Sequence, residues 1–109
     1  MAATQRDALG PTTPTTSLLT DMYELTMLQG ALRSGTAERA SVFELFGRRL
    51  PSSRRFGVVA GTGRLLDAVE DFTFTDAQID FLHAAGVVDD TTLDYLRGYR
   101  FSGTIRGYA

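Results

Sequence analysis

The sequence predicts an α/β fold of mixed type, and three observations point to it. Apolar residues recur at helical spacing in four stretches, each bounded by a capping residue or a glycine. Three other stretches, Ala40–Leu50, Phe56–Ala60 and Phe101–Tyr108, crowd or alternate apolar side chains as strands do. The two kinds of stretch interleave along the chain, as expected of helices packed on a sheet.

The elements follow in order. Met1–Thr16 is rich in Ala, Thr and Pro without periodicity and reads as a flexible tail, leaving 17–109 as the domain. The first helix is expected over Asp21–Ser34. Asp21 stands at the N-cap and Glu24 three residues on, the spacing of a capping box. At about 100° per residue, Met22, Leu25, Leu28 and Leu32 form one apolar stripe, while Tyr23, Met27 and Gly30 point the other way. Either both faces are core, or the second face meets a partner chain or a ligand. Gly35 supplies a left-handed C-cap. Gly30 costs the helix about 1 kcal/mol relative to Ala, which predicts a close approach by another backbone.

Along Ala40–Leu50, Phe43 and Leu45 face one way and Val42, Glu44 and Phe46 the other. A strand apolar on both faces is expected to be covered on both. Pro51-Ser-Ser closes it. Phe56–Ala60 is a second short strand. Gly61-Thr-Gly63 turns into a helix over Arg64–Asp71 with Leu65, Ala68 and Val69 inward. Thr75 and Gln78 form a capping box for a helix lined by Ile79, Leu82 and Ala85 and ended by Gly86. Asp89 or Asp90 caps a short helix holding Leu93 and Leu96, which Gly98 terminates. Phe101–Tyr108 is an alternating third strand that looks cut off, because a strand needs neighbours for its backbone.

Composition narrows the chemistry. The 109 residues make one domain or part of one, and 43% hydrophobic with 22% charged residues is a globular balance. A net charge of −2 gives no general reason to bind nucleic acid. Without cysteine there is no disulfide, thiol nucleophile or Cys-based zinc site, and one histidine makes no multi-His site. All eleven basic residues are arginine, so a Walker lysine and a Schiff-base lysine are excluded. No run reaches transmembrane length and no signal pattern opens the chain, so a cytoplasmic location is the default expectation.

Three groups carry candidate chemistry. Tyr23 beside Asp21 places an aromatic ring and a carboxylate at a helix start, a pair able to stack on a flat heteroaromatic ligand and fix its polar groups. The plainer reading is a half-buried Tyr and a capping Asp. Arg48, Arg49, Arg54 and Arg55 put four guanidinium groups within eight residues, which suits phosphate or a solvated strand end. Arg48 and Arg49 are adjacent and point to opposite faces, so one at most enters a site. Gly61-Thr-Gly63 mimics a phosphate loop but lacks the third Gly of a dinucleotide fingerprint and reads as a tight turn. His83 reads as a partly exposed structural residue.

The words TDMYELTM, VFELFGRRLP, FGVVAG and DYLRGYRFSGTIRGYA together resemble the N-terminal part of the nicotinate phosphoribosyltransferase family, from Leu18 to Ala109. Family members are several times longer, so the resemblance is to a fragment. It implies the mixed N-terminal α/β region of a type II phosphoribosyltransferase-like fold, with the barrel domain outside this chain. It further implies the family reaction: nicotinate and phosphoribosyl pyrophosphate give nicotinate mononucleotide and pyrophosphate, with ATP hydrolysis and Mg²⁺, in NAD salvage. By the same resemblance, Asp21 and Tyr23 match residues at a homodimer interface that complete the neighbouring subunit's pyridine pocket. Arg48 extends the FELF-x-R pattern toward phosphate. Gly47 departs from the family, which usually carries a large aromatic there. His83 does not match the family's later, ATP-coupled histidine. The ATP, metal and phosphohistidine sites are expected outside this chain. The alternatives are a non-catalytic fragment that only dimerises, or a related nicotinamide or quinolinate enzyme.

Overall fold

The structure is a computed structural model that describes residues 15–108. A single 3₁₀ turn, Thr16–Leu18, leads into helix α1, Met22–Ser34. Helices α2 (Thr62–Glu70), α3 (Asp76–Ala85) and α4 (Asp90–Gly98) follow.

Three of these helices build the core. In α3, Thr75 Oγ1 accepts from the Gln78 amide at 3.2 Å and Gln78 Oε1 accepts from the Thr75 amide at 2.9 Å. That reciprocal pair satisfies two orphan donors and fixes where α3 begins. Its inward residues, Ile79 and Leu82, are 1% and 2% exposed. Gly86, at φ 66°, adopts the left-handed conformation that ends α3 and turns the chain toward α4. Asp89 caps α4, which packs against α3 and α1 and buries Leu93 and Leu96. Leu25 of α1, Phe74 and Val88 complete the cluster, with Leu18, Leu28, Phe72 and Val87 packed around it. Each large side chain fully buried in such a cluster contributes about 1.5–3 kcal/mol. Phe72 extends the packing by meeting Phe74 and Tyr99 edge-on, at centroid distances of 5.6 and 5.9 Å.

The start of the described chain is tied to this core. The Thr15 hydroxyl donates to the Thr73 carbonyl, and the Thr15 carbonyl accepts from Gln78 Nε2 at 3.3 Å. Residues 1–14, the rest of the expected tail, lie outside the described residues.

The expected sheet does not form. Among the described residues there is no β-strand, so the fold is helical rather than α/β. Residues 40–50, 56–60 and 101–108 run without regular structure, and residues 40–61 are exposed throughout. The β-like pattern is present, but a strand exists only where a neighbour takes up its N–H and C=O groups, and these stretches do not pair. The turn at Pro51 is formed, with the Arg54 amide donating to the Pro51 carbonyl at 2.9 Å. Helix α2 starts two residues earlier than expected, after Gly61 at φ 85°. It buries no residue, and its expected inward Leu65 is half-exposed.

Two expectations for α1 also fail. The Asp21 backbone is extended, as at an N-cap, but its carboxylate makes no capping hydrogen bond, so there is no capping box with Glu24. Residues 21–24 at this helix start are exposed, and amides that reach water do not require a side-chain cap. A Cβ at Gly30 would meet nothing within 4 Å, so no backbone among the described residues approaches it closely.

Candidate functional site

The N-terminal turn of α1 leaves both Asp21 and Tyr23 exposed. The helix is anchored by the opposite stripe, where Leu25 is buried and Leu28 and Leu32 are partly buried. That anchoring turns Tyr23, Met27 and Gly30 outward. Tyr23 and Met27 are 58% and 66% exposed. The two-core reading of α1 therefore does not hold among the described residues. The second face is an open strip of one aromatic ring, one thioether and one bare backbone position, on a helix whose N-cap carboxylate, Asp21, makes no capping bond. Such a strip offers a flat apolar ligand a stacking surface and a hydrogen-bond acceptor.

The C-terminal half of α1 is held to α4 through Asp89, a connection that spacing in the sequence does not show. Asp89 Oδ1 accepts from the Thr92 amide at 2.9 Å and from Thr92 Oγ1 at 2.6 Å. Its Oδ2 accepts from Arg33 Nη2 at 2.9 Å, and its backbone amide donates to Gln29 Oε1 at 2.6 Å. The Thr92 hydrogen bonds, then Arg33, hold the Asp89 carboxyl below its ordinary value of 3.8. One cue was legible, since Asp-x-x-Thr at a helix start is a capping pattern. The contacts to Gln29 and Arg33 span about sixty residues and have no local signature. Tyr95 likewise donates to Glu38 Oε1 at 2.7 Å, and that carboxylate pushes the Tyr95 phenol up.

Arg48 is exposed in the irregular segment 40–60, as are Arg49, Arg54 and Arg55. His83 is exposed on α3, with Nε2 3.7 Å from Asp90 Oδ1. It lines an open depression of about 440 Å³ with Asp80, Asp90, Leu93, Asp94 and Arg97. Arg97 is taken up by Asp94 at 2.8 Å. Gly61, in the left-handed conformation, turns the chain into α2, while Gly63, expected in that turn, lies inside the helix. Among the described residues no group of three or more His, Asp or Glu is arranged to hold a metal ion, and no helix is long and apolar enough to cross a membrane.

Comparison with known proteins gives a consistent picture. The sequence profile of the nicotinate phosphoribosyltransferase N-terminal domain matches residues 18–109. Nicotinate phosphoribosyltransferase pncB1 of Mycobacterium tuberculosis is 51% identical over 108 residues, covering 99% of this chain and 24% of that protein. The pncB2 enzyme of the same organism is 37% identical over 92 residues, covering 82% of this chain and 19% of that protein. The nicotinate phosphoribosyltransferase of Bos taurus is 36% identical over 92 residues, covering 82% and 17%. The chain thus spans about a quarter or less of the length of these relatives. No solved structure matches it significantly.

Proposed function

Because the chain belongs to the nicotinate phosphoribosyltransferase family, through that family's N-terminal domain, we propose that it is the N-terminal part of an enzyme joining nicotinate to phosphoribosyl pyrophosphate. The products are nicotinate mononucleotide and pyrophosphate, an entry to NAD by salvage. The observation that carries the reading is the open face of α1: Tyr23 is exposed and the Asp21 carboxylate leaves its own helix uncapped. In this reading the enzyme is a homodimer, and that face completes the pyridine pocket of the neighbouring subunit.

Each residue has a physical task. The Tyr23 ring stacks on the pyridine plane and restricts its rotation, so that the ring nitrogen lies in line with the ribosyl carbon. The Asp21 carboxylate accepts a hydrogen bond at the edge of the site and fixes the ring's direction. The ribosyl centre becomes cation-like as pyrophosphate leaves, and the Arg48 guanidinium offers planar paired donors to phosphate oxygens. Mg²⁺ and ATP serve the family reaction, but the described residues fit neither group. They hold no metal-binding cluster, and the Gly61–Gly63 turn has no following Walker lysine.

The test uses a full-length enzyme carrying this domain. If the ring stacks, Tyr23→Phe binds nicotinate nearly normally, and Tyr23→Ala loses about 1–3 kcal/mol, the scale of base–aromatic stacking. Asp21→Asn keeps the shape and removes only the charge. Mixing a Tyr23→Ala chain with a chain disabled in its barrel is expected to restore activity, because one site of the heterodimer has both intact halves. Unchanged nicotinate affinity in a folded Tyr23→Ala dimer would return Tyr23 to a packing role.

A further inference from the structure

We propose that Gln29 and Arg33, through their bonds to Asp89, are positioning residues that fix the rotation of α1 about its own axis and with it the aim of the Tyr23 ring. The inference rests on the reading of Tyr23 as a pocket residue and deepens it. Its first support is how lightly apolar packing holds α1. Of the thirteen residues of the helix, only Leu25 is buried. Leu28 and Leu32 are partly buried. Apolar contact is non-directional, so such a stripe decides which side turns inward but tolerates several degrees of roll. Hydrogen bonds do not, because they weaken steeply as their angles change.

The second support is where the directional bonds go. Helix α1 packs on α4, and two polar links run from it to the residue that caps α4. Gln29 Oε1 accepts from the Asp89 amide at 2.6 Å, and Arg33 Nη2 donates to Asp89 Oδ2 at 2.9 Å. Gln29 and Arg33 stand four residues apart, one turn above the other on the same side of the helix. Two bonds a turn apart that converge on one residue resist both rolling and sliding. Asp89 is itself held, since its Oδ1 accepts from the amide and the hydroxyl of Thr92, which is 1% exposed. The clamp therefore refers α1 to the buried core. It is suited to aiming more than to stabilising, because the Arg33 and Asp89 side chains are 67% and 36% exposed and such pairs add little stability.

The third support is the geometry between clamp and ring. Tyr23 precedes Gln29 by six residues, about 9 Å along the axis and about 120° around it. The ring is 58% exposed, so its direction follows the helix more than any packing around it. A roll of about 10° carries a side chain that lies about 5–6 Å from the axis through about 1 Å. Misplacement on that scale is enough to spoil a stacked, in-line arrangement.

The test uses a full-length enzyme carrying this domain with Gln29→Met and Arg33→Met combined. Both substitutions keep helix propensity and leave Asp89 its bonds to Thr92. KM for nicotinate is expected to rise roughly three- to tenfold, while KM for phosphoribosyl pyrophosphate stays level. Arg33→Lys, which returns a cation toward Asp89, is expected to recover part of the loss. In a Tyr23→Ala background the same pair is expected to add nothing, because the clamp acts through the ring. In this chain by itself, residual dipolar couplings of the α1 amides are expected to shift in the double variant, with those of α3 unchanged, which shows that the core is folded. Should the double variant not fold, Arg33→Met alone removes only an exposed bond and is expected to raise KM for nicotinate by less. Normal KM in the clamp variants beside an impaired Tyr23→Ala would overturn this proposal alone. So would losses that add to that of Tyr23→Ala, or unmoved α1 couplings. Normal nicotinate affinity in Tyr23→Ala itself would instead overturn the pocket reading, and the aiming role with it.

Discussion

The helical core and the irregular arm of residues 40–60 are built from similar side chains and end in opposite states. Ile79 in α3 is 1% exposed, and Phe43 in the arm is 92% exposed. Both are large, apolar and set in a regular pattern. The difference lies in how far each must reach for partners. Helices α3 and α4 adjoin in sequence, each satisfies its own backbone, and their stripes meet across a four-residue turn. The arm's backbone exchanges water for protein partners only by pairing with another strand, and its two faces need two covering layers. Hydrophobicity therefore sets a demand for burial, while the neighbours within reach decide whether it is met.

The largest expected effect separates the two regions directly. Leu82→Ala removes a fully enclosed side chain and is expected to cost about 2–5 kcal/mol, whereas Phe43→Ala in the isolated chain stays within about 0.5 kcal/mol. Thermal unfolding followed by far-UV circular dichroism reads both. Equal losses would mean that the arm is packed in solution and would break the contrast. Next in size is Thr75→Ala, which opens the capping box of α3 and is expected to cost about 1 kcal/mol. Chemical denaturation with an unchanged slope would confirm a pure stability effect.

Gly30→Ala sharpens the contrast within α1. The site has room for a Cβ and an ordinary helical backbone, so the isolated chain is expected to gain up to about 1 kcal/mol. If the same face meets a neighbouring subunit, the substitution weakens dimerisation of a full-length enzyme while stabilising the isolated chain. A gain in both would place Gly30 outside any interface.

The smallest effect is the pH dependence held by Asp89. Its carboxyl lies lower in the folded chain than its ordinary value of 3.8, so the unfolded state binds the proton more readily. The contribution is therefore complete above that ordinary value and is lost as pH falls through the lower folded one. Acid titration of Tm is expected to show a steeper fall for the unmodified chain than for Asp89→Asn. Parallel curves would mean that the Thr92 and Arg33 contacts do not discriminate between the two charge states.

Much of the local structure was legible before folding was considered. The capping box at Thr75 and Gln78, the glycine stops at Gly35 and Gly86 and the Asp89 cap are settled within a few residues by which amide lacks a partner and which residue tolerates positive φ. The stripe Met22, Leu25, Leu28, Leu32 named the inner face of α1 correctly except at Met22, which is 65% exposed in the first turn. Asp21 does stand at the N-cap, but its capping bond and the box with Glu24 were misjudged, because an exposed helix start can be solvated in place of being capped. Tyr23 and Asp21 were singled out from type and spacing, but nothing local says whether their face is covered.

What the sequence determined by itself, then, is every feature whose energy is decided within about one helical turn, together with membership of a family, which is written in residue order. Tertiary structure alone decided the rest. It joined Gln29 and Arg33 to Asp89 across about sixty residues, left the Tyr23 face open and left Val42–Phe46 without a sheet. The reason is physical. A helix closes its hydrogen bonds within its own segment, so its pattern suffices to predict it. A strand and a side-chain bridge close theirs with distant groups, and whether those groups are present is not a property of the segment that needs them.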